Sequence, residues 1–329
     1  MKNTAKKYTS LILAIVSVLL CLVSCSSNTE TAESTDSAAA ESDKKSIVCT
    51  IFPQYDWIRV ILGDKVGDYN ITLLSDKGVD MHSFQPTASD MKKIGECALF
   101  VYVGDKSETW VSGVKSSVGT DSTKFVGLSE ILEGSLTEEG EAVEADEDDG
   151  DTYDEHVWLS LKNAEKCCLY LANVLGEIDP DNKDTYSDNA KKYVLELAAL
   201  DGEYSKAVSS ANKNTVIVAD RNPFVYLFND YNIKYYAAFN GCSSDTEASF
   251  KTITTLAAAA DDIDAKALIV TESTDSTVAT SVISGMAKTG CTSVVMNSMQ
   301  SIKAEEALVT SYMSIMKSNL NSLKAALGD

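Results

Sequence analysis

The chain has two histidines, His82 and His156. Each sits in a short polar and aromatic stretch. The first reads Val79-Asp80-Met81-His82-Ser83-Phe84-Gln85-Pro86-Thr87 and the second Asp154-Glu155-His156-Val157-Trp158-Leu159-Ser160. A neutral imidazole nitrogen is the commonest protein ligand for borderline divalent cations. Two imidazoles joined by the fold would suit zinc, with manganese or iron left open. Hydrolytic chemistry is poorly served. The chain has no H-E-x-x-H and no third histidine to hold a catalytic zinc with an open position. No Ser/His/Asp set is suggested either, because both histidines are better explained as ligands. We therefore expect a binding protein, not an enzyme.

Those histidines must be carried by a fold, and the chain body is long enough for two lobes. About 285 residues follow Lys45. Short β-branched runs occur at 47–52, 69–74 and 98–103, then at 215–219, 233–237, 267–271 and 292–296. Amphipathic stretches at 56–62, 89–96 and 249–262 lie between them. Strands alternating with helices predict an α/β fold of mainly parallel sheets flanked by helices. The uniformly apolar strands predict sheets covered on both faces. From 180 to about 211, Tyr186, Ala190, Tyr193, Leu197, Leu200 and Tyr204 recur at steps of three or four. That spacing predicts one long helix, with Pro180 and Asp181 suited to its start.

The N-terminus reads as an export signal. Lys2, Lys6 and Lys7 precede an apolar run at 11–23, and Leu22-Val23-Ser24-Cys25 follows. The run is too short for a good membrane span. Residues 26–45 are Ser, Thr, Ala, Glu and Asp with little that is apolar, which predicts a flexible tether. Six further cysteines follow: Cys49, Cys97, Cys167, Cys168, Cys242 and Cys291. Their spacing shows no CxxC pair, and no pairing is assigned. Cys49, Cys97 and Cys291 lie in or beside apolar runs and are expected to be buried thiols. Cys167 and Cys168 are adjacent on a helix and cannot face the same way.

The formal net charge is −21. In residues 138–155, eleven of eighteen are acidic and none is basic, so the segment is expected to be a solvated loop that does not pack. It either gathers cations loosely or only adds solubility. Such a charge argues against nucleic acid as a partner.

Both histidine stretches resemble the first two ligand motifs of the zinc/manganese solute-binding lipoproteins of ABC importers, which read roughly D-P-H-x-Y-x-P-T and D-P-H-V-W-L-S. Leu22–Cys25 is similar to a bacterial lipobox, which implies cleavage before Cys25 and a lipid on it. Thr50-Ile51-Phe52-Pro53-Gln54-Tyr55-Asp56, Gly63-Asp64-Lys65-Val66 and Gly104 with Glu108-Thr109-Trp110 also resemble family motifs, in family order. The resemblance implies these parts: a signal peptide, 1–24; a lipidated tether, 25–45; an N-terminal lobe, 46–179, with an acidic loop at about 136–153; a linking helix, 180–211; and a C-terminal lobe, 212–329. It implies metal capture in the inter-lobe cleft and delivery to a membrane permease with a cytoplasmic ATPase, by a monomer anchored outside the cell.

The second half departs from the family pattern. Arg221 stands where the third ligand is expected, in Asp220-Arg221-Asn222-Pro223-Phe224-Val225-Tyr226, and Asn297 stands at the fourth. Arginine cannot lose its proton and cannot ligate. A guanidinium about 4 Å from a single metal charge is repelled by roughly 4 kcal/mol at an effective dielectric near 20. Three resolutions stay open. Asp220 supplies the oxygen in its place, or Glu272 does so, or Arg221 faces a carboxylate that arrives with the metal as a chelate. Asn297 offers a neutral carbonyl oxygen. Asp245 or Thr246 would cap the helix after Cys242, a thiol that would suit zinc. The rivals are a related protein carrying a chelate or organic ligand, a metallohydrolase, and a surface adhesin.

Overall fold

Four parallel strands build each of two sheets. Strands β1 (Lys45–Cys49), β2 (Tyr69–Leu73), β3 (Leu99–Tyr102) and β4 (Lys124–Gly127) lie in the order β2-β1-β3-β4. Strands β5 (Thr215–Asn222), β6 (Lys234–Asn240), β7 (Ala267–Thr271) and β8 (Thr292–Met296) lie in the order β6-β5-β7-β8. Both sheets thus repeat one pattern: second, first, third, fourth. In such a sheet the connections leave the first strand in opposite directions. The loops at the carboxyl ends part there and open a crevice. The structure is a computed structural model and describes residues 44–78, 83–118, 123–138, 140–143, 153–243, 247–272 and 277–328. Cys25, His82, Asp245 and Thr246 lie outside the described residues.

Helices α1 (Phe52–Leu62), α2 (Ala88–Glu96), α3 (Trp110–Val118) and α4 (Leu128–Ile131) flank the first sheet. Next come α5 (Leu161–Ile178) and α6 (Lys183–Ser210). Helices α7 (Val225–Asp230), α8 (Phe250–Asp262), α9 (Thr277–Gly285), α10 (Ala304–Ala307) and α11 (Tyr312–Leu327) accompany the second sheet. The long helix expected from sequence is α6, with 28 residues spanning about 42 Å. Its six periodic apolar residues are all buried. Pro180 and Asp181 form a separate 3₁₀ turn ahead of it. Helix α6 lies against α5, α1 and α11, and Tyr204 donates its hydroxyl to the Met316 carbonyl at 2.6 Å. One hydrophobic core joins Leu197 and Leu200 of α6 to Ile47 and Leu99 of the first sheet and to Val218 and Ile269 of the second. Truncating either leucine to alanine there costs about 2–5 kcal/mol. No helix among the described residues is long and apolar enough to cross a membrane.

Several local expectations are corrected. Strand β4 has no strong sequence signal, because only four residues, Lys-Phe-Val-Gly, form it. Strand β8 is an edge with an exposed face, not an apolar strand covered on both sides. Helix α8 is capped by Ser249, whose Oγ accepts from the Thr252 amide at 3.2 Å. Cys167 and Cys168 sit adjacent on a helix as expected, and both are buried because α5 is enclosed over a broad arc that includes Leu171, Ala172 and Leu175. Cys291 is only half-buried. The acidic segment packs in part. Ala142 and Val143 join the hydrophobic clusters, and the Val143 amide donates to the Ala237 carbonyl on the β6 edge at 3.0 Å.

Candidate metal centre

His156 sits in a tight connection between the acidic segment and α5. Residues Val157–Leu159 form one 3₁₀ turn, and Ser160 then caps α5 by accepting from the Asn163 amide at 3.1 Å. The serine that ends this motif is therefore a helix cap, not a donor to the site. Thr87, at the end of the other motif, plays the same part for α2 in a reciprocal capping box with Asp90. Trp158 anchors the turn to the second half by donating its indole N–H to the Ser298 carbonyl at 2.8 Å.

The His156 ring is fully buried. Its Nδ1 lies 3.1 Å from Asp154 Oδ1, which also accepts the His156 amide at 2.9 Å. A carboxylate only accepts, so Nδ1 carries the proton, and in the neutral ring Nε2 keeps a lone pair. A carboxylate on the far nitrogen is the usual means of fixing a metal-binding imidazole. The Nε2 edge faces Gln300, whose Nε2 is 2.7 Å away.

The loop after β8 brings Gln300 there. Asn297 Oδ1 accepts from the Met299 amide at 2.8 Å, and Met299 adopts φ 63°. That left-handed conformation is costly for a residue with a long side chain, so the surrounding contacts must hold it. Ser298 donates its amide and its hydroxyl to the two oxygens of Glu272, at 2.8 and 2.7 Å. Its Oγ also lies 3.0 Å from Gln300 Oε1. Glu272, Ser298, Gln300 and His156 thus form one polar chain across the crevice.

The other expected donors are arranged as follows. Asp220 Oδ2 accepts from the Thr271 amide and hydroxyl at 2.8 and 2.6 Å, and Oδ1 accepts from the Arg221 amide at 2.7 Å. These bonds tie β5 to β7. Arg221 is half-buried at the end of β5 and reaches the Ser243 carbonyl through Nη1 at 3.4 Å. The backbone N–H of Asn297 donates to the Asn319 side-chain oxygen on α11, and its backbone carbonyl accepts from the Asn319 side-chain amide, at 2.7 and 2.9 Å. Cys242 Sγ donates to Glu155 Oε1 at 3.2 Å. Among the described residues, no three His, Cys, Asp or Glu side chains converge as a metal cage.

Two residues of the site escaped the sequence reading. Gln300 lies three positions beyond the expected ligand Asn297, and only the loop's backward turn aims it at the ring. Gly241 packs on the imidazole itself. A Cβ there would lie 2.9 Å from His156 Cε1 and 2.9 Å from the Asn222 carbonyl. The dipeptide Asn240-Gly241 after β6 was a turn signal that could have drawn notice.

Nearby, Glu108 is buried and accepts from the Val103 and Gly104 amides at 2.6 and 3.3 Å. Burial pushes its carboxyl up to about 7, against the pull of those hydrogen bonds.

Comparison with known proteins shows the family and the fold. Residues 47–326 match the family model of the zinc-uptake complex component A periplasmic proteins, ZnuA. The chain is 32% identical to the high-affinity zinc uptake system protein ZnuA of Bacillus subtilis over 326 residues, covering 98% of each chain. It is similar to the crystal structure of the metal-dependent lipoprotein YcdH from Bacillus subtilis, with a TM-score of 0.71 and 30% identity over 86% of this chain and 99% of that one. It also resembles the Zn(II)-bound ZnuA-like domain of Streptococcus pneumoniae AdcA, with a TM-score of 0.70 and 26% identity over 87% of this chain and 100% of that one. The chain belongs to the ZnuA family of periplasmic zinc-uptake components.

Proposed function

We propose that this protein captures a divalent metal ion, zinc before manganese or iron, outside the cell. It passes the ion to an ABC permease driven by a cytoplasmic ATPase. The observation that carries this reading is the His156 ring, fixed by Asp154 on Nδ1 and aimed by Nε2 at the opposite half. Its relatives' zinc-uptake role supports the same reading.

The proposed donors are His156 and His82, with oxygens from the second half. Gln300 is the nearest of these. A half-turn of its carboxamide would place a carbonyl oxygen toward the ring. Glu272 stands behind it through Ser298. Asp220 and Asn297 support the strand ends and loop that present those oxygens. The crevice also carries Arg221, which favours a second reading in which the metal arrives as a carboxylate chelate.

Cys25 is proposed as the lipid attachment point, which holds a monomer at the outer face of the membrane. A Cys25→Ala protein should then leave the membrane fraction, and retention there would overturn the anchor. The metal reading is tested by dialysing purified protein against mixed metals and measuring its content by mass spectrometry. One equivalent of zinc supports it, and an empty protein opposes it.

A further inference from the structure

We infer that the first limb of the acidic segment, through its described residues 137–138 and 140–143, is a strap that positions His156 from the second half of the molecule. The inference rests on His156 being a metal ligand. The strap crosses from the end of the first sheet to the β6 edge of the second. Gly140 is pressed so closely on Tyr235 that a Cβ there would collide with the phenol oxygen and fall 3.0 Å from Val225 Cγ2. The Val143 amide continues the β6 edge by donating to the Ala237 carbonyl at 3.0 Å.

The returning limb is fastened at the same place. Glu138 and Tyr153 form an antiparallel bridge, and the Asp154 amide donates to the Thr137 carbonyl at 2.9 Å. One phenol then clamps both limbs. Tyr226, on α7, accepts from the Thr137 amide at 3.0 Å and donates to the Asp154 carbonyl at 2.7 Å. Asp154 is the residue that holds Nδ1 of His156. The path from the β6 edge to the imidazole is therefore Val143, Thr137, Tyr226, Asp154, His156. Val143 and Thr137 are joined through the strap's own chain, and Thr137, Tyr226, Asp154 and His156 are joined by hydrogen bonds, so loosening the strap loosens the ring. Tyr226, Gly140 and Val143 are positioning residues, and none of them is a metal ligand.

The test uses two variants at separate attachment points. Tyr226→Phe removes the clamping hydroxyl and keeps the ring. Gly140→Val forces the strap away from Tyr235. Zinc-loaded protein is chased with excess chelator, and amide hydrogen exchange is read at Thr137, Val143, Asp154 and His156. Each variant should release zinc about tenfold faster, as expected when roughly one hydrogen bond's worth of support is removed. Its zinc association rate should be unchanged, and the four amides should lose protection together. Loss of protection at Val143 alone, with wild-type exchange at His156 and wild-type zinc release, would overturn the strap. A wild-type protein that takes up no zinc would overturn the metal reading. In that protein, coupled exchange at Val143 and His156 would still uphold the strap.

Discussion

The Nε2 atoms of His156 and Gln300 lie 2.7 Å apart, one from each half of the molecule. Two ligands of a tetrahedral zinc stand about 3.4 Å apart, given zinc–nitrogen and zinc–oxygen bonds near 2.1 Å. The pair is thus too close to hold an ion between them. The carboxamide occupies the lone pair that a metal would take. Loading requires Gln300 to withdraw by about 0.7 Å and to present its oxygen.

Gln300→Glu should therefore tighten zinc binding. The change removes the competing N–H donor and adds an anionic oxygen. Competition against a chromogenic chelator should show affinity rising by about tenfold or more, a change of about 1.4 kcal/mol. Equal or weaker binding would remove Gln300 from the donor set.

Gly241→Ala should disturb the site from the opposite side of the ring. The new Cβ meets His156 Cε1 and the Asn222 carbonyl, and the backbone oxygen cannot yield cheaply. Overpacking of this kind costs about 1–3 kcal/mol of stability. Denaturant titration should show that loss together with weaker zinc binding. Gly67→Ala is the matched control, because a Cβ there meets nothing within 4 Å.

Arg221→Met separates the bare ion from the chelate. Removing the cation should tighten binding of free zinc if the ion is carried alone. A chelate held by the guanidinium would bind more weakly instead. Calorimetry with zinc, with and without an excess of citrate, distinguishes the two.

Glu108 gives a pH signature. Its ordinary value is 4.5 and its folded value is about 7, raised by burial. Below 4.5 the folded and unfolded chains both hold the proton, and Glu108 costs nothing. As pH rises to about 7, the unfolded chain ionises first, and stability falls. The wild type should lose about 3 kcal/mol relative to Glu108→Gln across that window and remain level above it. Denaturant midpoints at several pH values read this directly. Parallel pH profiles for the two proteins would show that Glu108 ionises as an exposed acid.

The sheet-and-helix order was legible because it is written in long-lived periodicities. Helix α6 kept all six of its apolar positions, and seven of the eight strands coincide with β-branched runs. What escaped was set by tertiary contact. Strand β4 is too short to show a pattern, and β5 extends through Asp220, Arg221 and Asn222 because their strand neighbours hold them there. The acidic limb packs because the β6 edge offers it a carbonyl and Tyr235 offers it a surface. Charge counting cannot reveal either. His156 drew attention through its motif, whereas the placement of Gln300 depends on the left-handed turn at Met299, which no residue type announced.

Zinc titration of the wild type, His156→Ala and His82→Ala tests the central claim most directly. Each substitution should weaken binding by orders of magnitude while circular dichroism stays unchanged. The double variant should lose little more than either single one, as befits two residues sharing one ion. Wild-type affinity in both single variants would contradict a metal site built on these histidines.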